Sequence, residues 1–294
     1  MTDRRAQLAA NLDQVQGRIA RAAAAAGREP GEITLVAVTK TYPASDVVLL
    51  ASLGVTDVGE NKDQEAKAKA TEVRAAGATP RWHFVGQLQR NKARSVVRYA
   101  DVVESVDSVR LAQALSRAAE ELRDAPLDVL VQVSLDGDPS RGGASFPGLS
   151  SLGASSRDLS SSRDLSSSRD LSSSRDLSPA SPGPSPASPG LSSVSSDGGV
   201  RSVSLDGDLA ATLEAVAEAP GLRLAGVMAV APADEDPSVA FAKLAEIARL
   251  VVADHPGATT VSAGMSGDLE QAVAHGATHV RIGTSLLGRR NLLR

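Results

Sequence analysis

Residues 33–40 read Ile33-Thr34-Leu35-Val36-Ala37-Val38-Thr39-Lys40, and Pro43 follows three residues later. The run is β-branched or apolar almost without a break, the pattern of a strand covered on both faces in a parallel sheet. It carries Lys40 to the mouth of a core. An amine held there is expected to be poorly solvated, which frees it as a nucleophile. Amines of this kind form Schiff bases with carbonyl compounds. The competing reading is a lysine that snorkels past the strand end into solvent or pairs with a carboxylate.

Working outward from this strand, the pattern alternates. Before it, Leu8, Leu12, Val15 and Ile19 share one helical stripe that ends at Gly27. After it, strands are expected at 55–59, 81–85, 101–105, 127–134, 222–228, 259–262 and 278–282. Helices are expected at 44–53, 61–76, 89–99, 108–122, 208–219, 237–254 and 267–275, with a short one from Thr284. Eight strands, each followed by a helix, behind one extra N-terminal helix predict an α/β fold closed as a (β/α)8 TIM barrel. An open doubly wound sheet is the alternative, but no GxGxxG follows the first strand.

The chain, 1–294, is expected to form a single barrel domain interrupted at 144–199. There Arg-Asp-Leu-Ser-Ser-Ser repeats from Arg157, Arg163 and Arg169, and a Ser/Pro/Gly tract runs from Ser178 to Gly190. Such a segment cannot bury enough apolar area to offset chain entropy. It reads as a low-complexity, disordered surface insertion.

Composition removes several function classes. Aromatic residues are 2% of the chain and the net charge is −4, so nothing resembles a basic or base-stacking platform for nucleic acid. The absence of cysteine excludes disulfides, thiolate catalysis and cysteine-ligated zinc. Of the four histidines only His275 and His279 have helical spacing, and Gly276 between them ends a helix, so no metal site is expected. No apolar stretch reaches the length of a membrane span, and the N-terminus leads into an amphipathic helix. The expectation is a cytoplasmic protein with no membrane contact.

In a closed barrel the reactive residues lie at strand C-termini, and phosphate is often held after strands seven and eight. Those positions carry Lys40; Glu60 and Asn61; His83 and Gly86; Ser262, Gly264, Met265 and Ser266; and Arg281, Gly283 and Thr284. Gly264 and Gly283 permit close backbone approach, and Ser266 and Thr284 offer hydroxyls beside helix starts that attract anions. Taken singly, each hydroxyl is explained as well by N-capping. Together, facing Lys40, they suggest a ligand bearing both a phosphate and a carbonyl. Arg281 inside a barrel needs a partner, either a ligand's pyridine nitrogen or a carboxylate such as Glu60. His83, between Trp82 and Phe84, reads equally as a satisfied core histidine or a ligand contact.

The strings that carry these residues are Val38-Thr39-Lys40-Thr41-Tyr42-Pro43, Gly59-Glu60-Asn61 and the run from Trp82 to Lys92. Ser262 to Glu270 and Val280-Arg281-Ile282-Gly283-Thr284 complete them. In this order they resemble the pyridoxal phosphate homeostasis protein family, the single-domain relatives of alanine racemase. The resemblance implies a barrel of the alanine racemase N-terminal type (fold type III) that binds pyridoxal 5′-phosphate (PLP) as a Schiff base on Lys40. It puts Ser266, Gly283 and Thr284 near the phosphate, Arg281 near the pyridine nitrogen, and Asn61, His83 and Met265 in the cofactor site. Ala263 and Leu287 depart from the family pattern without touching this cradle.

The resemblance further implies a protein that buffers, stores or delivers PLP inside the cell, with PLP-dependent apoenzymes as candidate partners. The alternative is a small PLP-dependent amino-acid racemase or lyase. Racemisation needs an acid/base group on each face of the substrate. Here no second β domain is expected, and the tyrosines are Tyr42 and Tyr99 alone.

Overall fold

The apolar run at 33–39 forms β1 (Thr34–Val38), and its neighbours on either side are the second and the last strands of the chain. Val36 stands opposite Asp57 on one flank and Arg281 on the other, so this strand closes a ring. The computed structural model describes residues 2–138, 142–148 and 205–288. Within them β2 (Asp57–Glu60), β3 (Arg81–Phe84), β4 (Val102–Val106), β5 (Leu127–Gln132), β6 (Leu222–Met228), β7 (Thr260–Ser262) and β8 (His279–Ile282) follow in order, all parallel. The sheet is a closed barrel of eight strands in sequence order.

Helices cover the outside. They are α1 (Thr2–Ala25), α2 (Ala44–Ser52), α3 (Asp63–Ala75), α4 (Ala93–Val96), α5 (Val109–Leu122), α6 (Gly207–Ala217), α7 (Pro237–Asp254), α8 (Leu269–Ala274) and α9 (Thr284–Leu287). Helix α7 shows why they form. Asp236 caps it by accepting from the Ser238 amide at 2.9 Å, and Pro237 opens it where no amide is needed. Its residues Ala240, Phe241, Leu244, Ile247, Ala248 and Val251 repeat at helical spacing and are buried against the sheet. Each large side chain so buried contributes about 1.5–3 kcal/mol.

Two elements differ from the sequence expectation. Strand β2 begins at Asp57 rather than at 55, because the Val55 amide turns back to the Leu50 carbonyl at 3.0 Å and closes α2. It runs one residue further, to Glu60, which pairs with Phe84. The helix expected at 89–99 is a 3-10 turn at Arg90–Lys92 followed by the short α4.

Of the interruption expected at 144–199, residues 144–148 are described and pack on the barrel. Ala144 bridges to Val133 beside the end of β5, and Phe146 is buried. Ser145 accepts from the Leu209 amide at 3.0 Å and its hydroxyl bonds Asp208 at 2.7 Å, which ties 142–148 to the start of α6. Residues 149–199 lie outside the described residues.

Helix α1 braces the last two βα loops. Asn11 donates to the Leu286 carbonyl, Arg4 to Asp46 and the Leu287 carbonyl, and Arg18 to Glu270 and the Ser266 carbonyl.

Candidate functional site

The mouth of the barrel is the ring of strand C-termini. Lys40 stands there two residues beyond β1, exposed, after a fully buried Thr39. The expectation of a poorly solvated amine is therefore corrected: the strand buries Thr39, and the chain then turns outward at Thr41. Thr41 has a left-handed backbone, φ 74°, which L-residues adopt only at a cost.

Both flanks of Lys40 are clamped from α3. The Thr41 amide donates to the Glu65 carboxylate. Lys69 Nζ donates to the Thr39 carbonyl at 2.8 Å, to Glu60 Oε1 at 2.5 Å and to Glu65 Oε1 at 3.0 Å. Thr39 Oγ1 donates to the same Glu60 oxygen at 2.7 Å. Burial raises the Glu60 carboxyl above its ordinary range, against the opposing pull of Lys69. Glu60 thus belongs to Lys69, and the expectation that it might partner Arg281 is corrected.

Arg281 is buried one residue before the end of β8. Its Nη1 donates to Ser262 Oγ at 2.7 Å and its Nη2 to the Ala229 carbonyl at 2.8 Å, both at the ends of neighbouring strands. The carboxylate nearest to it is Glu104, 3.7 Å from Nη1. Glu104 Oε2 accepts from Ser262 Oγ at 2.6 Å, and its Oε1 lies 2.7 Å from His83 Nδ1. His83 Nε2 lies 2.9 Å from Asp57 Oδ1, at the base of β2. Burial alone would depress the His83 pKa. The hydrogen bonds and charges of Asp57 and Glu104 outweigh it and raise His83 to about 9. Glu104 responds in kind: burial pushes it up, and His83, Arg281 and Ser262 together hold it near 2.

The remaining expected residues divide. Ser266, Gly283 and Thr284 come together, since the Ser285 amide donates to Ser266 Oγ at 3.3 Å across the two last loops. Met265 is 41% exposed and its amide is taken by Asp268 Oδ1 at 2.6 Å. Asn61 sits against Gly86, where an added Cβ would come within 2.2 Å of the Asn61 carbonyl oxygen. The Asn61 side-chain oxygen is buried and has no hydrogen-bond partner among the described residues. Such an acceptor is costly to leave unmade, and a ligand donor satisfies it. Gly264, at φ 87°, turns the chain after β7 and gives its carbonyl to the Arg281 amide at 2.9 Å.

Residues 10–162 match the family model described as the alanine racemase N-terminal domain. Over 303 aligned residues the chain is 39% identical to the pyridoxal phosphate homeostasis protein of Mycobacterium tuberculosis, covering 99% of this chain and 95% of that one. The chain belongs to the pyridoxal phosphate homeostasis protein family. The Escherichia coli protein of that name is 33% identical over 291 residues, with 97% of each chain covered. Among solved structures, PipY of Synechococcus elongatus with PLP bound is 27% identical. It matches with a TM-score of 0.65 over 96% of this chain and 100% of that one. An alanine racemase from Corynebacterium glutamicum shares the fold alone, at 12% identity and a TM-score of 0.55.

For a member of the pyridoxal phosphate homeostasis protein family, the unexpected residues are Asp57, Glu65, Lys69 and Glu104. Asp57 and Glu104 did carry a signal: each is an acid inside an apolar strand run, Val55-Thr56-Asp57-Val58 and Val102-Val103-Glu104-Ser105-Val106. A buried charge of this kind needs a partner. Lys69 also carried a signal, since it falls on the apolar stripe of α3 with Ala66, Ala70 and Val73, four residues after Glu65, whereas Lys67 and Glu72 lie off that stripe. His83 lies a layer below the mouth with both ring nitrogens given to carboxylates, which favours its reading as a satisfied core histidine.

Proposed function

We propose that this protein binds PLP at the mouth of the barrel, with Lys40 as the covalent attachment point, and holds or delivers the cofactor rather than catalysing a reaction with it. The observation that carries this reading is the likeness over 96% of the chain to PipY, whose structure contains PLP. The residues present fit the cofactor. Ser266, Gly283 and Thr284 would hold the phosphate between the last two loops, Arg281 would meet the pyridine nitrogen, and the buried oxygen of Asn61 would accept from a ring substituent. Met265 would contribute contact area. His83 would act from below, through Glu104, instead of touching the ring. When bound, the cofactor supplies a reactive aldehyde.

A carrier role is supported by the two tyrosines. Tyr42 donates its hydroxyl to the Gly288 carbonyl at 2.6 Å, and burial of Tyr99, reinforced by the charges of Asp63 and Glu60, holds its hydroxyl away from ionisation. Neither stands ready as a second acid/base group for racemisation. We place the work in the cytoplasm, with PLP-dependent apoenzymes as recipients. Among the described residues no helix is long and apolar enough to cross a membrane.

The decisive experiment reduces the PLP-loaded protein with borohydride and maps the adduct by mass spectrometry. The adduct is expected on Lys40 and absent from a folded Lys40→Ala variant. Incubation with L-alanine in deuterated water is expected to give no α-deuteration at a rate competent for turnover. Fast exchange would instead favour a racemase.

A further inference from the structure

Glu104 is fully buried in the middle of β4, and the attachment of a cofactor at Lys40 gives it no direct part. Its hydrogen bonds have only one consistent direction. Arg281 can only donate, so the Ser262 hydroxyl accepts from the guanidinium and gives its one proton to Glu104. His83 lies between two ionised carboxylates, which only accept, so both its nitrogens carry protons. The line from Asp57 to Arg281 therefore holds two negative charges, on Asp57 and Glu104, and two positive charges, on His83 and Arg281. Buried charges of both signs are stable only while every member keeps its partner.

The groups on and around this line come from four other strands and the loop after β7. Asp57 stands on β2, His83 on β3, Ser262 on β7 and His279 on β8, its ring 6.1 Å from that of His83. Asp268, beyond β7, adds its field to Arg281. Burial lowers His279, so this second ring stays neutral. A cavity of about 240 Å³ lies at the base of the barrel, lined by His83, His279, Arg81 and Asp128.

We propose that Glu104 is the positioning residue for Arg281, fixing the guanidinium through Ser262 at the spot where it meets the ring of the bound cofactor. The inference rests on the PLP reading above. Glu104 sets two properties of that spot. It holds Arg281 in one orientation, and its negative charge offsets the positive field that Arg281 and His83 would otherwise impose on the cofactor.

The test uses the full-length protein and the variants Glu104→Gln, which keeps shape and removes charge, and Ser262→Ala, which removes only the bridge. In the PLP-loaded protein, Glu104→Gln leaves an excess positive charge that disfavours a protonated chromophore. The pH midpoint of the visible band is expected to fall by about one unit, tenfold in proton affinity. In the cofactor-free protein, nitrogen-15 NMR is expected to resolve the Arg281 guanidinium protons in wild type and to lose them by exchange in both variants. Ser262→Ala keeps the test open should Glu104→Gln fail to fold. An unchanged midpoint, or Arg281 signals that survive in folded variants, would overturn the role of Glu104. A wild-type protein with no adduct on Lys40 would overturn the PLP reading instead, and the NMR measurement would still decide on Glu104.

Discussion

Thr41 is the only residue other than glycine with a positive φ among the described residues, and it directly follows Lys40. The strain, about 1–2 kcal/mol, is held by the Glu65 carboxylate on its amide and by Lys69 on the carbonyl of Thr39. Removing Lys69 would leave Glu60 as an uncompensated charge inside the wall. Lys69→Met is therefore expected to cost about 3–5 kcal/mol in denaturant unfolding, far more than an exposed ion pair such as Arg249–Glu246 would. The core charges also make stability depend on pH. His83 titrates near 9 when folded against 6.5 when not, so its contribution is complete below 6.5 and drains away as pH rises through 9. Glu104, held near 2 against 4.5, contributes fully above 4.5 and loses its effect as pH falls toward 2. The thermal midpoint of the cofactor-free protein is expected to peak between these ranges and to drop from pH 6.5 to 9. A flat profile over that alkaline interval would contradict the charged state of His83.

At the scale of the element, the close approach of β3 to the loop after β2 is the most demanding. A side chain on Gly86 would collide with the backbone of Asn61, which has no flexible end to yield. Gly86→Ala is expected to cost about 1–3 kcal/mol. It should also displace Asn61 and weaken PLP binding at least severalfold, as equilibrium titration of the visible band would report. This contact was invisible in the sequence, where Gly86 read simply as a strand end. What the sequence did disclose was periodic. The eight strands and most helices follow from apolar runs punctuated by Gly27, Gly54 and Gly77, each with the left-handed backbone that ends a helix. The errors fell where a tertiary bond overrode the local pattern, as when Val55 capped α2 instead of opening β2. For the site, the positions at strand ends were legible because topology fixes them. The depth of His83, the partner of Arg281 and the solvent exposure of Lys40 were not, since each depends on which way a strand's side chains face at a particular register.

For the molecule as a whole, the barrel is complete without the serine-rich tract. Ser145 and Pro147 on one side meet Asp208, Leu209 and Gly207 on the other, so the described ends at residues 148 and 205 are held near each other by bonds within the barrel. Joining them with a short glycine linker in place of 149–204 is expected to leave the thermal midpoint and PLP affinity unchanged, because loop length enters stability only logarithmically. A fall of several degrees would show that the tract contributes to the barrel.

The brace from α1 has a consequence for the order of events during synthesis. Helix α1 is made before β8 and must wait for that strand before Asn11 and Arg4 find Leu286 and Leu287, and β1 stays open along one edge until β8 arrives. A chain that still lacks β8 therefore has no finished mouth, whatever the order in which its other elements have settled.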